Sequence, residues 1–315
     1  MDLFRSAQAV ADSSGDDIVD WSAVATAAKA ATPRGELALS VDEQIAYRSD
    51  VREARDRLRS VGDVQFDLPE TIEIQNRHHW IDANIETFRR VVEPLESQQT
   101  VLPGVSRALN TGTMAITLSF LGRNVLGQYD PLLLAETDDH SLYFVRPNIQ
   151  RVAQQLDVDY PRFRRWIAFH EVAHAAEFGA APWLPGYLED RMQAAVSDLT
   201  DGKLNREAYR ELNTAMTAVE GYAELLMDHA FDQEYVDLRA KLDARRQGGG
   251  PFVQLMRRLL GLDLKRRQYE QGAAFFEAIA DARDIAAASV VWERPETLPT
   301  SEEIETPGLW LQRVT

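Results

Sequence analysis

The stretch Ala168–Gly179, AFHEVAHAAEFG, sets two histidines and a glutamate inside a segment that is otherwise small and apolar. On a helix advancing about 100° per residue, His170 and His174 differ by about 40° and project from one face a turn apart, so both imidazoles can grip one ion. Glu171 sits about 100° from His170, beside such an ion rather than on it, where it can take a proton from a bound water. The pattern is H-E-x-x-H, in which zinc lowers the pKa of its water to about 7 and the glutamate completes the activation. Chance spacing is the alternative. Against it, Ile167, Phe169, Val172, Ala173 and Phe178 surround the motif, and a buried face does not accept three ionisable groups without partners.

A catalytic zinc needs a third protein ligand and an open position for water. The segment Ala218–Asp228, AVEGYAELLMD, offers Glu220 and Glu224 four residues apart on one helical face, where like charges repel unless a cation or donor intervenes. Glu220 as ligand and Glu224 as hydrogen-bond partner to a ligating imidazole resolve the repulsion, since such carboxylates orient the ring and fix its tautomer. The bland reading is a solvated acidic face. Glu177 competes with Glu220, because at about −20° from His170 it falls on the ligand face of the same helix. Three ligands on consecutive turns would, however, be strung along ~10 Å of helix axis, whereas zinc gathers its ligands at about 2 Å. A ligand arriving from a second helix is therefore preferred.

With these residues in view, H-E-x-x-H followed by a glutamate on a second helix resembles the gluzincin branch of zinc metallopeptidases. The second helix of that branch reads E-x-x-x-D, and Glu224 stands here in the aspartate position. The segments HEVAHAAEFGAAPWLPGYL, EGYAELLMD, RRLLGLDLKRRQYEQG, RPETLPTSEEIETPGLW and NVLGQYDPLLL together resemble an uncharacterised family of actinobacterial and archaeal zincin-like proteins. Its members are described as hydrolases or as associated with deazaflavin coenzyme biosynthesis. The resemblance covers roughly Arg107 to the C-terminus and implies a zincin-like core with extra helices; it supplies no substrate.

Outward from the motif, the periodicity is mostly helical and shows no internal repeat. Pro161 opens a helix that Gly179 is expected to stop. Ser40 with Glu43 forms a capping box for a helix closing near Gly62, and a further helix begins near Trp80. DVQFDLPETIEI reads as short extended pieces. DPLLLAE and SLYFVRPNI, separated by a turn-like TDDH, read as a hairpin. If SLYFVRPNI is an edge strand, an extended peptide could add to it beside the metal. Long helices are expected over Asn205–Phe231 and Val253–Ala282, parted by the flexible RRQGGGP. The proline-rich tail is expected to form an irregular strap anchored by Trp292 and Trp310. The helix around KRRQYEQGAAFFEAI is expected to bury Tyr269, Phe275 and Phe276, although its arginines could also frame an anion pocket. His78 and His79 are read as a hydrogen-bonded or surface pair, since adjacent helical residues face apart.

Composition sets the outer bounds. The 315 residues are 45% hydrophobic, enough for a substantial core, and contain no cysteine. Disulfides and thiolate ligands are excluded, any metal must be held by His, Asp or Glu, and a cytoplasmic address is expected. The N-terminus lacks the pattern of a signal peptide, and the longest apolar run, Met114–Gly122, falls short of the ~20 residues that span a bilayer. A net charge of −16, from 34 basic and 50 acidic residues, repels phosphate backbones and anionic lipid, which argues against nucleic acid and membranes as partners. Lysine occurs only at Lys29, Lys203, Lys241 and Lys265. That balance suits either a salt-rich interior or an ordinary acidic protein.

Together these readings predict an α+β, predominantly α-helical protein, with an N-terminal helical region over residues 1–105. Residues 106–315 are expected to form a zincin-like metalloprotease core with additional helices and the strap. The expected function is zinc-dependent hydrolysis of a peptide or other amide bond, with His170, His174 and Glu220 on the metal, Glu171 as general base and Glu224 behind a ligand. The alternative is a non-catalytic scaffold whose zinc only staples helices, its fourth position blocked, for instance by the tail. If the surface is salt-adapted, the thermal unfolding midpoint rises from low to molar salt as screening relieves carboxylate repulsion; a midpoint insensitive to salt removes that reading.

Overall fold

Polar side chains just ahead of apolar-periodic runs start the first helices. In the computed structural model, which describes residues 1–15, 17–92, 103–130, 140–200, 205–231, 235–247 and 262–314, Asp2 caps α1 (Leu3–Ala11), Asp20 caps α2 (Trp21–Ala30) and Ser40 caps α3 (Val41–Gly62). Each side chain accepts the backbone N–H three residues on, which satisfies one of the orphan donors of a helix start. Asn76 caps α4 (Arg77–Val92) by accepting the N–H groups of His78 and His79. That helix therefore begins ahead of Trp80 rather than at it. His78 Nε2 also bonds with the Thr32 carbonyl at 2.8 Å, while His79 is exposed, as expected of a hydrogen-bonded or surface pair.

Two units interleave along the chain, the first comprising Met1–Leu39, Glu70–Val152 and Gln193–Asn205. It carries α1, α2, α4, α5 (Pro103–Asn124) and a sheet of β1 (Thr71–Gln75), β2 (Gly127–Asp130) and β3 (Ser141–Val145) in the order β1-β3-β2. β3 runs parallel to β1, with Ile72 opposite Leu142, and antiparallel to β2, with Tyr129 opposite Leu142. Trp21, Val24, Trp80, Ile81 and Leu118 make the core of this unit with Val145.

Three expectations are corrected here. The hairpin arm ahead of β3 is Gly127–Asp130, upstream of the expected DPLLLAE, whose residues beyond Asp130 lie outside the described ones. The extended run stops at Val145, because Pro147 suits a first helical turn and Ile149, Val152 and Ala153 recur at helical spacing, all buried in α6 (Arg146–Leu156). Finally, β3 is the central strand. Both of its edges are hydrogen-bonded and Leu142, Phe144 and Val145 are fully buried, so it cannot accept an added peptide strand.

The second unit comprises Ser40–Pro69, Ala153–Met192 and Arg206–Thr315. Its centre is α7 (Tyr160–Ala180), started by Asp159 and by Pro161 in the first turn. Phe163, Ile167, Phe169, Val172 and Phe178 are buried around its circumference, the mark of a helix with no solvent stripe. α7 packs against α3 and, after α8 (Leu184–Thr200), against α9 (Arg206–Ala230). Two ion pairs tie α7 to α3: Arg164 Nε to Asp50 at 2.7 Å and Arg165 to Glu53 at 2.6 Å. Gly179 does not stop α7. A Cβ there would lie 2.8 Å from Phe66 Cβ, so glycine serves a close approach while the helix runs on to Ala180.

α10 (Val236–Gln247) and α11 (Leu262–Ala282) follow, with the glycine run between them outside the described residues. Phe275 and Phe276 are fully buried on α11, while the side chain of Tyr269 is outside the described ones. The tail is not irregular: it folds as α12 (Ile285–Ser289), two short turns, α13 (Ser301–Glu305) and α14 (Pro307–Val314). Its expected anchors hold. Trp292 and Trp310 are buried, and the Trp310 indole donates to the Thr297 carbonyl at 2.8 Å. The protein is thus α+β and predominantly helical, and none of its described helices is long and apolar enough to cross a membrane.

α9 and α11 meet backbone to backbone. A Cβ on Gly221 would fall 2.4 Å from Gly272 Cα, and one on Gly272 would fall 2.3 Å from the Thr217 carbonyl oxygen. Neither contact can yield by a rotamer change. Gly272→Ala is therefore expected to lower the free energy of unfolding by about 1–3 kcal/mol, the cost of overpacking, read from urea denaturation; an unchanged midpoint would show that the helices can part freely.

Candidate metal centre

The site forms between α7 and α9, both within the second unit. His170 and His174 stand one turn apart, with ring centroids 4.8 Å from each other and planes 75° apart. From α9, Glu220 brings a carboxylate oxygen to 3.9 Å from His174 Nε2. One ligand atom from each of His170, His174 and Glu220 can be chosen so that all lie within 4.8 Å of one another. No fourth His, Asp or Glu joins this group among the described residues.

Glu177 is not in that trio. His174 Nδ1 bonds with its carboxylate at 2.9 Å, which leaves Nε2 turned toward Glu220. The carboxylate is wholly buried and fixes both the tautomer and the rotation of the ring, the role of a carboxylate behind a ligating histidine. Sequence reasoning had assigned that work to Glu224. The Glu224 carboxylate instead pairs with Arg239 of α10 at 2.6 Å, and Arg239 also pairs with Asp228. Glu171 is buried and close enough to His174 for its charge to act on the imidazole. On the other side, the Trp166 indole stacks on His170 at 5.6 Å with only 5° between the planes.

The electrostatics follow from burial. Removing His174 from water lowers its pKa, but the charges of Glu177, Glu220 and Glu171 outweigh that effect and hold it at about 9. Burial raises Glu177 to about 7, against the pull of His174 and helped by the nearby Glu220 charge. Carboxylate is thus in excess around one imidazole, and the pocket draws in positive charge. Two imidazoles and a carboxylate are a donor set suited to zinc, and the surplus negative charge is what a divalent cation would balance. The residues present fit such an ion.

Two participants escaped the sequence reading. Glu177 was noticed on the ligand face, and its i,i+3 spacing from His174 was the available signal for a side-chain pair. Arg239 gave none, because it reaches Glu224 from a different helix.

Comparison with known proteins agrees with this geometry. The chain matches the family of zincin-like metallopeptidases over residues 19–204 and 189–311. A crystal structure from Chloroflexus aurantiacus, described as that of "a putative hydrolase with a novel fold", is similar over 99% of this chain and 98% of that one, with 31% sequence identity and a TM-score of 0.74. No curated protein matches. With a buried H-E-x-x-H helix, a carboxylate supplied by a second helix and a family match that spans most of its length, the chain belongs to the zincin-like metallopeptidase family.

Proposed function

We propose that the protein is a zinc-dependent hydrolase that cleaves peptide or other amide bonds, in an arrangement of gluzincin type. The observation that carries this reading is the clustering of donor atoms from His170, His174 and Glu220 within 4.8 Å, with three ligands rather than four among the described residues. A three-ligand set leaves room for water and substrate, which a metal serving only as a staple does not need. Zinc held there supplies a Lewis acid for the substrate carbonyl and brings a water's pKa toward 7.

The remaining work falls to the chain's own side chains. Glu171 takes a proton from the attacking water, whose oxygen bonds to the carbonyl carbon, and returns it to the nitrogen as the carbon–nitrogen bond breaks. Glu177 keeps His174 Nδ1 protonated and Nε2 facing the reaction. Trp166 covers one face of His170, which limits the freedom of that ring and keeps water off it.

Glu171→Gln is expected to retain about one zinc per chain while hydrolysis falls about 10²–10⁴-fold; metal content by mass spectrometry and turnover of a peptide library test both halves. Turnover at the parent rate would take Glu171 out of the mechanism. Glu220→Ala is expected to lose zinc, whereas Glu177→Ala keeps a stoichiometry near one and weakens affinity about 10–100-fold, as loss of a carboxylate behind a ligand does. The reverse order of metal content would exchange the two assignments.

A further inference from the structure

The second unit holds a cavity of about 420 Å³ that no step of the proposed reaction uses. Its size falls in the range of small-molecule pockets, ~300–1,000 Å³. Neither the trio His170, His174 and Glu220 nor Glu171 is among its described lining residues, so it is a place of its own. Three of its walls are aromatic: Trp166 of α7, Phe231 at the end of α9 and Tyr235 just ahead of α10. Its charged lining is Glu224 and Asp228, one turn apart on α9, with Arg239 of α10 between them.

Among the described residues the lining therefore carries two carboxylates against one guanidinium, a surplus of one negative charge beside a largely apolar space. Glu224 is buried, so its charge is poorly screened there. An anion entering the cavity would meet that surplus unpaid by any free cation of the lining, since Arg239 is already engaged by both carboxylates. A neutral apolar molecule would take water from the carboxylates and return nothing. A cation gains from the surplus and from the aromatic rings, whose faces attract positive charge within about 6 Å. Two of these rings already do so within the chain: the Arg162 and Arg165 guanidinium carbons lie 5.1 and 5.4 Å from the Tyr235 centroid, and that of Arg165 lies 5.5 Å from the Phe231 centroid. The kind of cation follows from the acceptors. A primary ammonium brings three N–H donors that need oxygens, and the oxygens here serve Arg239. A quaternary ammonium has no N–H to satisfy and is the cation that aromatic walls recognise best.

We infer that this cavity is a binding site for a small organic cation of the quaternary ammonium class, held between Trp166, Phe231 and Tyr235 and drawn by Glu224 and Asp228, and that it is distinct from the metal centre. The site is independent of amide hydrolysis and stands whether or not that reaction occurs. The full-length protein is titrated with choline, with its neutral carbon isostere 3,3-dimethylbutan-1-ol, with the anion 3,3-dimethylbutanoate and with ethanolamine, at constant ionic strength, and binding is read from ligand NMR signals. Choline should bind about tenfold more tightly than the neutral isostere, the scale of a cation held by aromatic rings away from water, with the anion and ethanolamine weaker than choline. Asp228→Asn, which leaves the charged lining neutral, should weaken choline about threefold, and Arg239→Gln, which leaves two carboxylates alone, should strengthen it by a similar factor, the scale of partly exposed charge pairs. Urea midpoints report whether each variant folds, and the isostere series on the unaltered protein decides the matter even where one does not. Zinc-loaded and chelator-treated protein should bind choline alike. Equal affinity across the four compounds, no choline binding, or shifts of the opposite sign in the two folded variants overturn the inference. Choline binding lost on loading with zinc also overturns it, because that places the cation at the metal centre.

Discussion

Negative charge is concentrated on one largely buried imidazole: Glu177 bonds it directly, while Glu220 and Glu171 act on it from nearby. In a medium of low polarisability such an arrangement is relieved when a carboxylate takes up a proton or when a cation shares the charge. A proton on His174 is one solution and a divalent ion is another, and the two compete for the same nitrogen. The site is therefore a place where the fold tolerates an electrostatic cost so that something positive will be held. The second unit contains features that keep the three carboxylates from moving apart to relieve that cost.

The first of these is the way α7 is fixed. A helix buried around its whole circumference has no solvent face to set its rotation, so hydrophobic burial alone would leave the histidines free to face several neighbours. Polar pairs remove that freedom. Arg164 and Arg165 hold Asp50 and Glu53 of α3, and these two fixed contacts restrict the rotation of α7 against α3. The side of α7 that carries His170 and His174 is thereby turned to α9, where Glu220 waits.

What could be read from the sequence follows the range over which each feature is determined. The histidine pair, the flanking glutamate and the starts at Ser40 and Pro161 depend on spacing within one helix, and the structure has them where the spacing put them. Glu220 was legible because two glutamates at helical spacing on an apolar helix need an explanation. The partner of Glu224 was not, since Arg239 belongs to another helix and nothing local pairs them. Glu177 was seen on the ligand face and set aside as a competing ligand, but its bond to His174 was not foreseen, because whether it meets the ring depends on the rotation of His174. The strand SLYFV looked the same whether central or at an edge; only its pairing with β1, far upstream, decides that. Gly179 carried a stop signal, yet the contact with Phe66 across the unit explains it better.

The Gly221–Gly272 contact has a consequence for when the centre can exist. Gly221 follows Glu220 directly, so the position of that carboxylate is set partly by a backbone surface that α11 provides. During synthesis the histidines of α7 leave the ribosome well before α11 does. The emerging chain thus carries the H-E-x-x-H pair for a considerable time without the seat that fixes the third group. The backbone surface behind Glu220 is therefore complete only once α11 has packed on α9.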